Sequence, residues 1–204
     1  MSGSRSRVGR KYPYTLALVF FAATLFGSVS LHAQEIELTL DPARTEIHYT
    51  LGATAHTVHG TFQLKSGTVH FDPATGKVSG SIVVDATSGK SGNDGRDSKM
   101  HREILESQKY PEIVFTPQQV KGTVNPQGSS QVDVSGTFRL HGGDHDFTMP
   151  ITIQLGGSEA TATTRFSIPY EKWGLKNPNT FILRVKDTVD IDIHTVAHIA
   201  PPLS

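Results

Sequence analysis

Histidines and acidic residues are the side chains of this chain that could do acid–base or metal chemistry. Nine of the 10 histidines follow residue 33, and His56 and His59 stand three residues apart at the start of a strand pattern, where they should face opposite sides. The chain has no cysteine, no HExxH pattern and no GxSxG pattern, whereas a zinc site usually needs at least three protein ligands. The sequence therefore predicts no catalytic residues, no metal site and no cofactor.

The remaining polar residues have simpler interpretations. Acidic residues of the strand patterns, such as Asp133 and Asp190, fall on the outward parity, where water solvates them. Arg96 and Asp97, with His101 one turn later, stand where a loop enters a helical pattern. They could form the polar mouth of a ligand site, or a helix cap with an ion pair that pins the loop. The residues alone leave both interpretations open.

The elements that must position these residues are strands. From Ile47 to Ile193, short stretches alternate apolar and polar residues, and turn sequences separate them. Successive side chains of a strand point to opposite faces, so each stretch has one apolar face. About eight such stretches predict an all-β fold with an antiparallel barrel or sandwich. Residues 97–107 break the alternation and predict one short amphipathic helix, with Asp97 or Ser98 as its N-cap.

Small residues on the inward parity raise the question of whether the enclosed face is filled. Gly60, Gly80 and Gly136 fall on this parity, as do Ala160 and Ala162. Glycine within a strand marks a bend or a close approach, so these glycines could merely coil the strands. They could also leave an apolar cavity that holds a small ligand. Its predicted lining comprises six aromatic residues and one methionine: Tyr49, Phe62, Phe115, Phe138, Phe147, Met149 and Phe166.

The first 33 residues differ from the rest. Four basic residues precede an apolar run over about residues 15–31, and the run ends near Ala33. This pattern predicts a signal peptide, 1–33, and an exported domain, 34–204; an uncleaved amino-terminal anchor is the alternative. Cleavage would remove four basic and no acidic side chains and leave a net charge of about −4. This balance argues against nucleic acid and against attraction to an anionic membrane surface.

Ordered short motifs resemble those of the YceI-like domain family. The resemblance covers roughly residues 36–198, and although each motif is weak alone, the set occurs in order and at suitable spacing. The matching segments are 40–45, 56–62, 67–72, 96–97 with 100–101, 110–115, 134–142, 169–175 and 189–193.

The resemblance implies a lipocalin-like, eight-stranded up-and-down barrel with an internal apolar tunnel. It also implies a non-enzymatic periplasmic or secreted protein that binds a polyisoprenoid, an isoprenoid quinone or a similar long-chain lipid. No stable membrane insertion is expected after signal cleavage, and the protein would be a monomer or a homodimer. Two alternatives stay open: a structural or stress-related interaction protein with a filled barrel, and a hydrolase of a lipid-like substrate that uses His101, Asp97 and His56.

Overall fold

Nine β-strands and one helical segment make up the protein in the computed structural model, which describes residues 35–54, 56–126, 128–179 and 184–202. The predicted signal peptide lies outside the described residues. The strands are β1 (Ile36–Leu40), β2 (Glu46–Leu51), β3 (Val58–Phe71), β4 (Val78–Lys90), β5 (Glu112–Lys121), β6 (Ser129–Leu140), β7 (Gly143–Gly156), β8 (Glu159–Ile168) and β9 (Val189–Ala200).

These strands close into an antiparallel barrel with eight strand positions. Each strand from β2 to β9 pairs with the next one along the chain, and β9 pairs back onto β2. Strand β1 also pairs with both β3 and β9, so β1 and β2 together fill one position between them. A 3₁₀ turn at Pro42–Arg44 separates the two. The predicted all-β, up-and-down, eight-stranded barrel with one short helix is confirmed.

The helical segment lies between β4 and β5 and begins earlier than predicted. Helix α1 spans Asp94–Lys99 and continues as a π-helical turn over Met100–Ile104. Asn93 is the N-cap, because its side chain accepts a hydrogen bond from the Arg96 backbone N–H at 3.0 Å. The prediction of Asp97 or Ser98 as the cap was therefore wrong. The first turn contains no apolar residue, so hydrophobic periodicity could not locate it.

The two ends of the barrel differ in how they are covered. In an up-and-down barrel, alternate connections lie at alternate ends. The helix end, as we name it, carries the β2–β3, β4–β5, β6–β7 and β8–β9 connections, including the helical segment. The turn end carries the short β3–β4, β5–β6 and β7–β8 connections. The long connections give the helix end enough chain to cover the barrel, whereas the turn end has little.

Side chains from these connections fill the helix end. Trp173 and Leu175, from the β8–β9 connection, belong to or pack against the largest buried apolar cluster. Ile104 and Leu105, from the helical segment, pack against the same cluster. Full burial of a side chain such as Leu175 contributes about 1.5–3 kcal/mol, and the three partly buried side chains contribute less. The helix end is therefore the solid part of the core.

Candidate functional site

An apolar cavity of about 210 Å³ occupies the barrel interior and reaches the turn end. All eight strand positions contribute to its wall. Among the described residues, the lining side chains are aliphatic or aromatic except for Met149 and three threonines. The lining comprises Ile36, Leu38, Leu40, Thr45, Ile47, Leu64, Val69, Phe71, Val78, Ile82, Val84, Ile113, Phe115, Pro117, Val120, Val124, Val134, Phe138, Met149, Ile151, Ile153, Leu155, Ala160, Ala162, Thr164, Phe166, Ile193, Thr195 and Ala197.

Small residues of β8 and β9 make room for this cavity. Ala160 and Ala162 on β8 and Ala197 on β9 line it, at positions where longer side chains would project into the space. Ala160 also pairs directly with Ala197 across the two strands. This part of the sequence prediction, that β8 alanines leave space, agrees with the geometry.

The inward glycines do not leave space. A Cβ on Gly60 would lie 2.4 Å from the Tyr49 ring, and one on Gly136 would lie 2.3 Å from the Thr116 carbonyl oxygen. Gly80, at φ +112°, would place its Cβ 2.1 Å from the Thr68 carbonyl oxygen. These glycines let neighbouring strands or rings approach closely, which is the simpler of the two interpretations that the sequence left open.

At the turn end the buried apolar residues form two separate clusters. One buried cluster lies on β3 and β4, around Phe71 and Val78. Another joins β7, β8 and β9. Three partly buried residues, Ile36, Leu38 and Val124, pack against both clusters. These three side chains therefore border the cavity where it approaches solvent.

The three threonine hydroxyls among the described lining residues have no hydrogen left to donate to a ligand. Thr45 Oγ1 donates to the Asp41 carbonyl oxygen at 2.7 Å, so the 2.6 Å bond between Thr45 and Thr195 must use the Thr195 hydrogen. Thr164 Oγ1 donates to the Pro150 carbonyl oxygen at 2.6 Å. An unpaired phosphate or carboxylate inside this cavity would lose its solvation without gaining donors, which is costly. The interior suits hydrocarbon.

A layer of aromatic rings separates the cavity from the helix end. Phe138 is its centre, with ring centroids 5.7 Å from Phe115 and 6.3 Å from Phe166 on the cavity side. Behind it, Phe147 lies at 6.0 Å and Trp173 at 5.7 Å. Tilted and edge-to-face pairs at these separations are favourable beyond the area they bury.

Four of the seven residues predicted to line the cavity do so: Phe115, Phe138, Met149 and Phe166. The other three, Tyr49, Phe62 and Phe147, are not among its lining residues. Tyr49 instead packs against Phe62 with ring centroids 5.5 Å apart, and Phe147 lies in the layer behind Phe138.

Parity alone missed several lining residues because two strands change register. In β3 the pairing shifts between Leu64 and Ser66, so one extra residue reverses the alternation. Val69 and Phe71 consequently face the cavity on the opposite parity from Leu64. A shift after Pro117 in β5 turns Val120 inward in the same way. Gly67 stands beside the β3 shift and Pro117 at the one in β5, and glycine or proline within a strand often accompanies a bulge, so both residues could have indicated the shifts.

The predicted polar mouth lies at the helix end and is not part of the cavity lining. Arg96 Nε donates to Ser91 Oγ at 2.7 Å, and its Nη2 donates to the Ser91 carbonyl oxygen at 2.8 Å. Asp97 Oδ1 accepts from the Ser91 backbone N–H at 2.9 Å and also from its hydroxyl. These contacts tie the loop after β4 to the helix. They match the loop-pinning interpretation, with Ser91 rather than an ion pair as the link.

His101 also holds this segment together. Its ring nitrogens lie 3.0 Å from Ser107 Oγ and 2.9 Å from the Gly89 carbonyl oxygen. The hydrolase hypothesis needs His101, Asp97 and His56 within mutual hydrogen-bond reach. Among the described residues no hydrogen bond or ion pair joins any two of the three, and His56 is exposed. Nothing in this arrangement builds an acid–base pair.

Two tyrosines whose pKa values are raised lie outside the cavity lining. Burial, together with the negative charges of Glu171 and Asp187, raises the pKa of Tyr170 to about 12. Burial, and then the charge of Asp97, raises the pKa of Tyr49. Neither tyrosine lines the cavity, whose described lining holds no titratable side chain.

The described part of the chain holds neither a metal-binding cluster nor a membrane-spanning helix. Within it, no three or more His, Asp or Glu side chains are grouped so that they could hold a metal ion. No helix within it is long and apolar enough to cross a membrane.

Comparison with known proteins identifies the family. The YceI-like domain profile matches residues 38–197, which is most of the chain. The chain belongs to the YceI-like family. The sequence resemblance is thereby confirmed. No curated protein sequence matches this YceI-like chain significantly.

Solved structures share the fold of this YceI-like protein. Burkholderia cenocepacia BcnA is 19% identical with a TM-score of 0.63, over 77% of this chain and 98% of that one. A polyisoprenoid-binding domain from Saccharophagus degradans, implicated in plant cell wall breakdown, is 18% identical with a TM-score of 0.62, over 79% and 97%. The YceI protein of Campylobacter jejuni is 20% identical with a TM-score of 0.56, over 69% and 84%.

Proposed function

We propose that this protein binds the hydrocarbon tail of a polyisoprenoid, an isoprenoid quinone or a similar long-chain amphiphile inside its barrel. The observation that carries the proposal is the cavity, which is about 210 Å³ in volume. Its lining is apolar and therefore suits a hydrocarbon ligand. A similar fold in the Saccharophagus domain, described as polyisoprenoid-binding, supports the same ligand class.

The cavity can supply useful affinity. An engineered apolar cavity of about 150 Å³ holds benzene, which has six carbons. In proportion, the cavity of about 210 Å³ in this barrel holds about eight carbons. At about 0.8 kcal/mol per buried carbon, the gross gain is about 6 kcal/mol before the costs of association. Because the wall donates no hydrogen bond, the headgroup should stay outside, near the turn end.

The protein would bind its ligand without catalysing a reaction, in the periplasm or after secretion. The part of the lining that the structure describes offers no acid, base or nucleophile, and its threonine hydroxyls already donate to wall oxygens. Residues 1–33 would serve as the signal peptide and residues 34–204 as the binding domain. After cleavage, residues 34–204 carry a net charge of about −4, which suits a carrier that does not adhere to anionic surfaces.

The test is native mass spectrometry of the purified protein, followed by organic extraction and thermal unfolding with added isoprenoids. A copurifying lipid-sized mass that extraction removes is expected. At about 100-fold excess over Kd, ligand should stabilise the protein by about 2.7 kcal/mol, or about 5–11 °C in Tm for a chain of this size. A protein that carries no lipid and whose Tm does not respond to any isoprenoid would contradict the proposal.

A further inference from the structure

The ladder between β4 and β5 breaks beside the cavity. The two strands pair in register only where residues 82–85 of β4 face residues 112–115 of β5, toward the helix end. Nearer the turn end, no register pair joins residues 78–81 of β4 to residues 116–118 of β5. We name this unpaired stretch of the wall, residues 78–81 and 116–118, the seam.

Each strand carries a residue that interrupts pairing at this level. Pro117 has no backbone N–H to donate, and the register between β5 and β6 shifts directly after it. On the other strand, Gly80 has φ +112°, and a Cβ there would lie 2.1 Å from the Thr68 carbonyl oxygen of β3. Strand β4 therefore lies tight against β3 at the level where β5 lacks a donor. The sequence itself places the seam.

At the seam, side chains rather than a strand ladder separate the cavity from solvent. Apolar residues on both of its edges line the cavity: Val78, Ile82, Pro117 and Val120. Between them, Ser79, Ser81 and Gln118 are exposed. The seam thus has an apolar inner surface and a polar outer one.

A second break in the wall is closed by packing. Strands β7 and β8 stop pairing beyond Ile151 opposite Thr164, toward the helix end. Behind this break the rings of Phe147 and Phe166 lie 5.3 Å apart, edge to face, and fill the interior. Thr164 Oγ1 also bridges the two strands by its bond to the Pro150 carbonyl oxygen. The cavity, in contrast, lies directly behind the seam.

Ties at the turn end hold the seam shut. Lys77 and Gln119 form an isolated bridge. The Val120 N–H donates to the Gly76 carbonyl oxygen at 2.8 Å, and Gln119 Nε2 donates to the Thr75 carbonyl oxygen at 3.2 Å. These ties join the β3–β4 turn to the last residues of β5. They can therefore break without disturbing the ladders on either side.

We infer that the seam is the lateral portal through which the lipid tail enters and leaves the barrel. The inference rests on the proposed function. With the ties broken, the tail passes side-on between β4 and β5 and meets the apolar edges of the seam. The headgroup stays in water near the turn end, because the described cavity wall offers it no hydrogen-bond donor.

A disulfide across the ties tests the portal, since the chain has no cysteine of its own. Lys77→Cys with Gln119→Cys staples the seam, and Gln131→Cys with Thr152→Cys is the matched control, across a register pair of β6 and β7. Antiparallel partners have Cα atoms about 4.5–5.5 Å apart, which suits a disulfide.

The probe is farnesol esterified with the fluorophore anthranilic acid. Stopped-flow fluorescence measures its association with the lipid-stripped protein and its dissociation into phosphatidylcholine vesicles. Oxidation of the 77–119 variant should slow both rates by about tenfold or more and leave Kd within about threefold, because the staple blocks the path and not the bound state. The oxidised control should exchange the probe at the wild-type rates.

Reduction and a single substitution test the opposite direction. Dithiothreitol should return both rates of the 77–119 variant to at least the wild-type values, because the reduced pair lacks the Gln119 tie. Gln119→Ala removes the side-chain bond to Thr75 and should speed both rates by about fivefold, the equivalent of one hydrogen bond.

Other outcomes would overturn the inference. Rates that the 77–119 disulfide leaves unchanged would place the entrance elsewhere, while the proposed function would stand. Equal slowing in the control, or a changed Kd with an unchanged association rate, would also refute the portal. If the disulfide does not form, unchanged rates in Gln119→Ala decide against it. Absence of probe binding by the wild type would overturn the proposed function and this inference with it.

Discussion

Tyr170 offers a test of how the helix end is held closed. Its side chain is 5% exposed, and its hydroxyl donates to the Lys186 carbonyl oxygen at 2.6 Å. The bond joins the two ends of the β8–β9 connection that carries Trp173. Tyr170→Phe removes this bond while it keeps the ring. Near neutral pH the variant should lose about 1 kcal/mol of unfolding free energy, the net value of one hydrogen bond.

The penalty should shrink and reverse at alkaline pH. The pKa of Tyr170 is raised from 10.0 to about 12, so the folded protein keeps the phenolic proton after the unfolded chain begins to lose it. Stability from this group is fully present below about pH 10 and is lost as the pH rises toward about 12, by about 1.4 kcal/mol per pH unit and about 2.7 kcal/mol in all. Phenylalanine has no such loss. The two proteins should therefore be equally stable near about pH 11, and the variant should be the more stable above it.

Urea unfolding of both proteins between about pH 8 and pH 11 measures this difference. Lysines and other tyrosines also titrate in the range, but their contributions cancel when the variant is subtracted from the wild type. A difference that stays constant with pH would refute the reasoning. It would show that the Tyr170 hydroxyl ionises equally in both states and that the helix end is open to water.

Three further changes test the packing. Phe138→Ala should cost about 3–5 kcal/mol of unfolding free energy, because it leaves a cavity among four rings; a loss below about 1 kcal/mol in urea unfolding would show that the layer collapses. Ser107→Ala should cost about 1–3 kcal/mol, since it leaves a ring nitrogen of His101 unpaired, and hydrogen exchange of the helical segment should accelerate with it. Gly80→Ala should destabilise the protein more than Gly92→Ala: both glycines have positive φ, but only the Cβ at Gly80 would meet backbone atoms of β3. Equal changes in Tm for these two alanines would mean that the strand relaxes around Gly80.

The sequence predicted the elements better than the lining. Alternation found the long strands and their inward aromatic residues Phe115, Phe138 and Phe166, because parity is a property of neighbouring residues. The same rule failed at Tyr49 and Phe62, which face one another near the helix end. Their parity was inward, but the enclosed space at that level is filled, and nothing local in the chain indicates which level is filled.

The candidate polar mouth, Arg96, Asp97 and His101, lies away from the cavity lining for a related reason. Arg96, Asp97 and His101 have the residue types of a headgroup site, and their sequence neighbourhood is glycine-rich and polar. Their partners, Ser91, Gly89 and Ser107, are close in the chain, so the loop satisfies its own donors and acceptors. Which end of the barrel this loop covers depends on the order of strand pairing, and the cavity reaches the other end.

The amino-acid sequence by itself determined that the chain has one apolar face per strand and that the strands are antiparallel and joined by turns. Local rules suffice for these properties, since side-chain alternation, turn residues and motif spacing act over a few residues. The tertiary structure decided where the apolar faces meet and where they stay apart. Register shifts in β3 and β5 reversed the parity of Val69, Phe71 and Val120, and the β8–β9 connection filled one end with Trp173. These are contacts between residues distant in the chain, and so the cavity, with its open and closed ends, exists only once the barrel has closed.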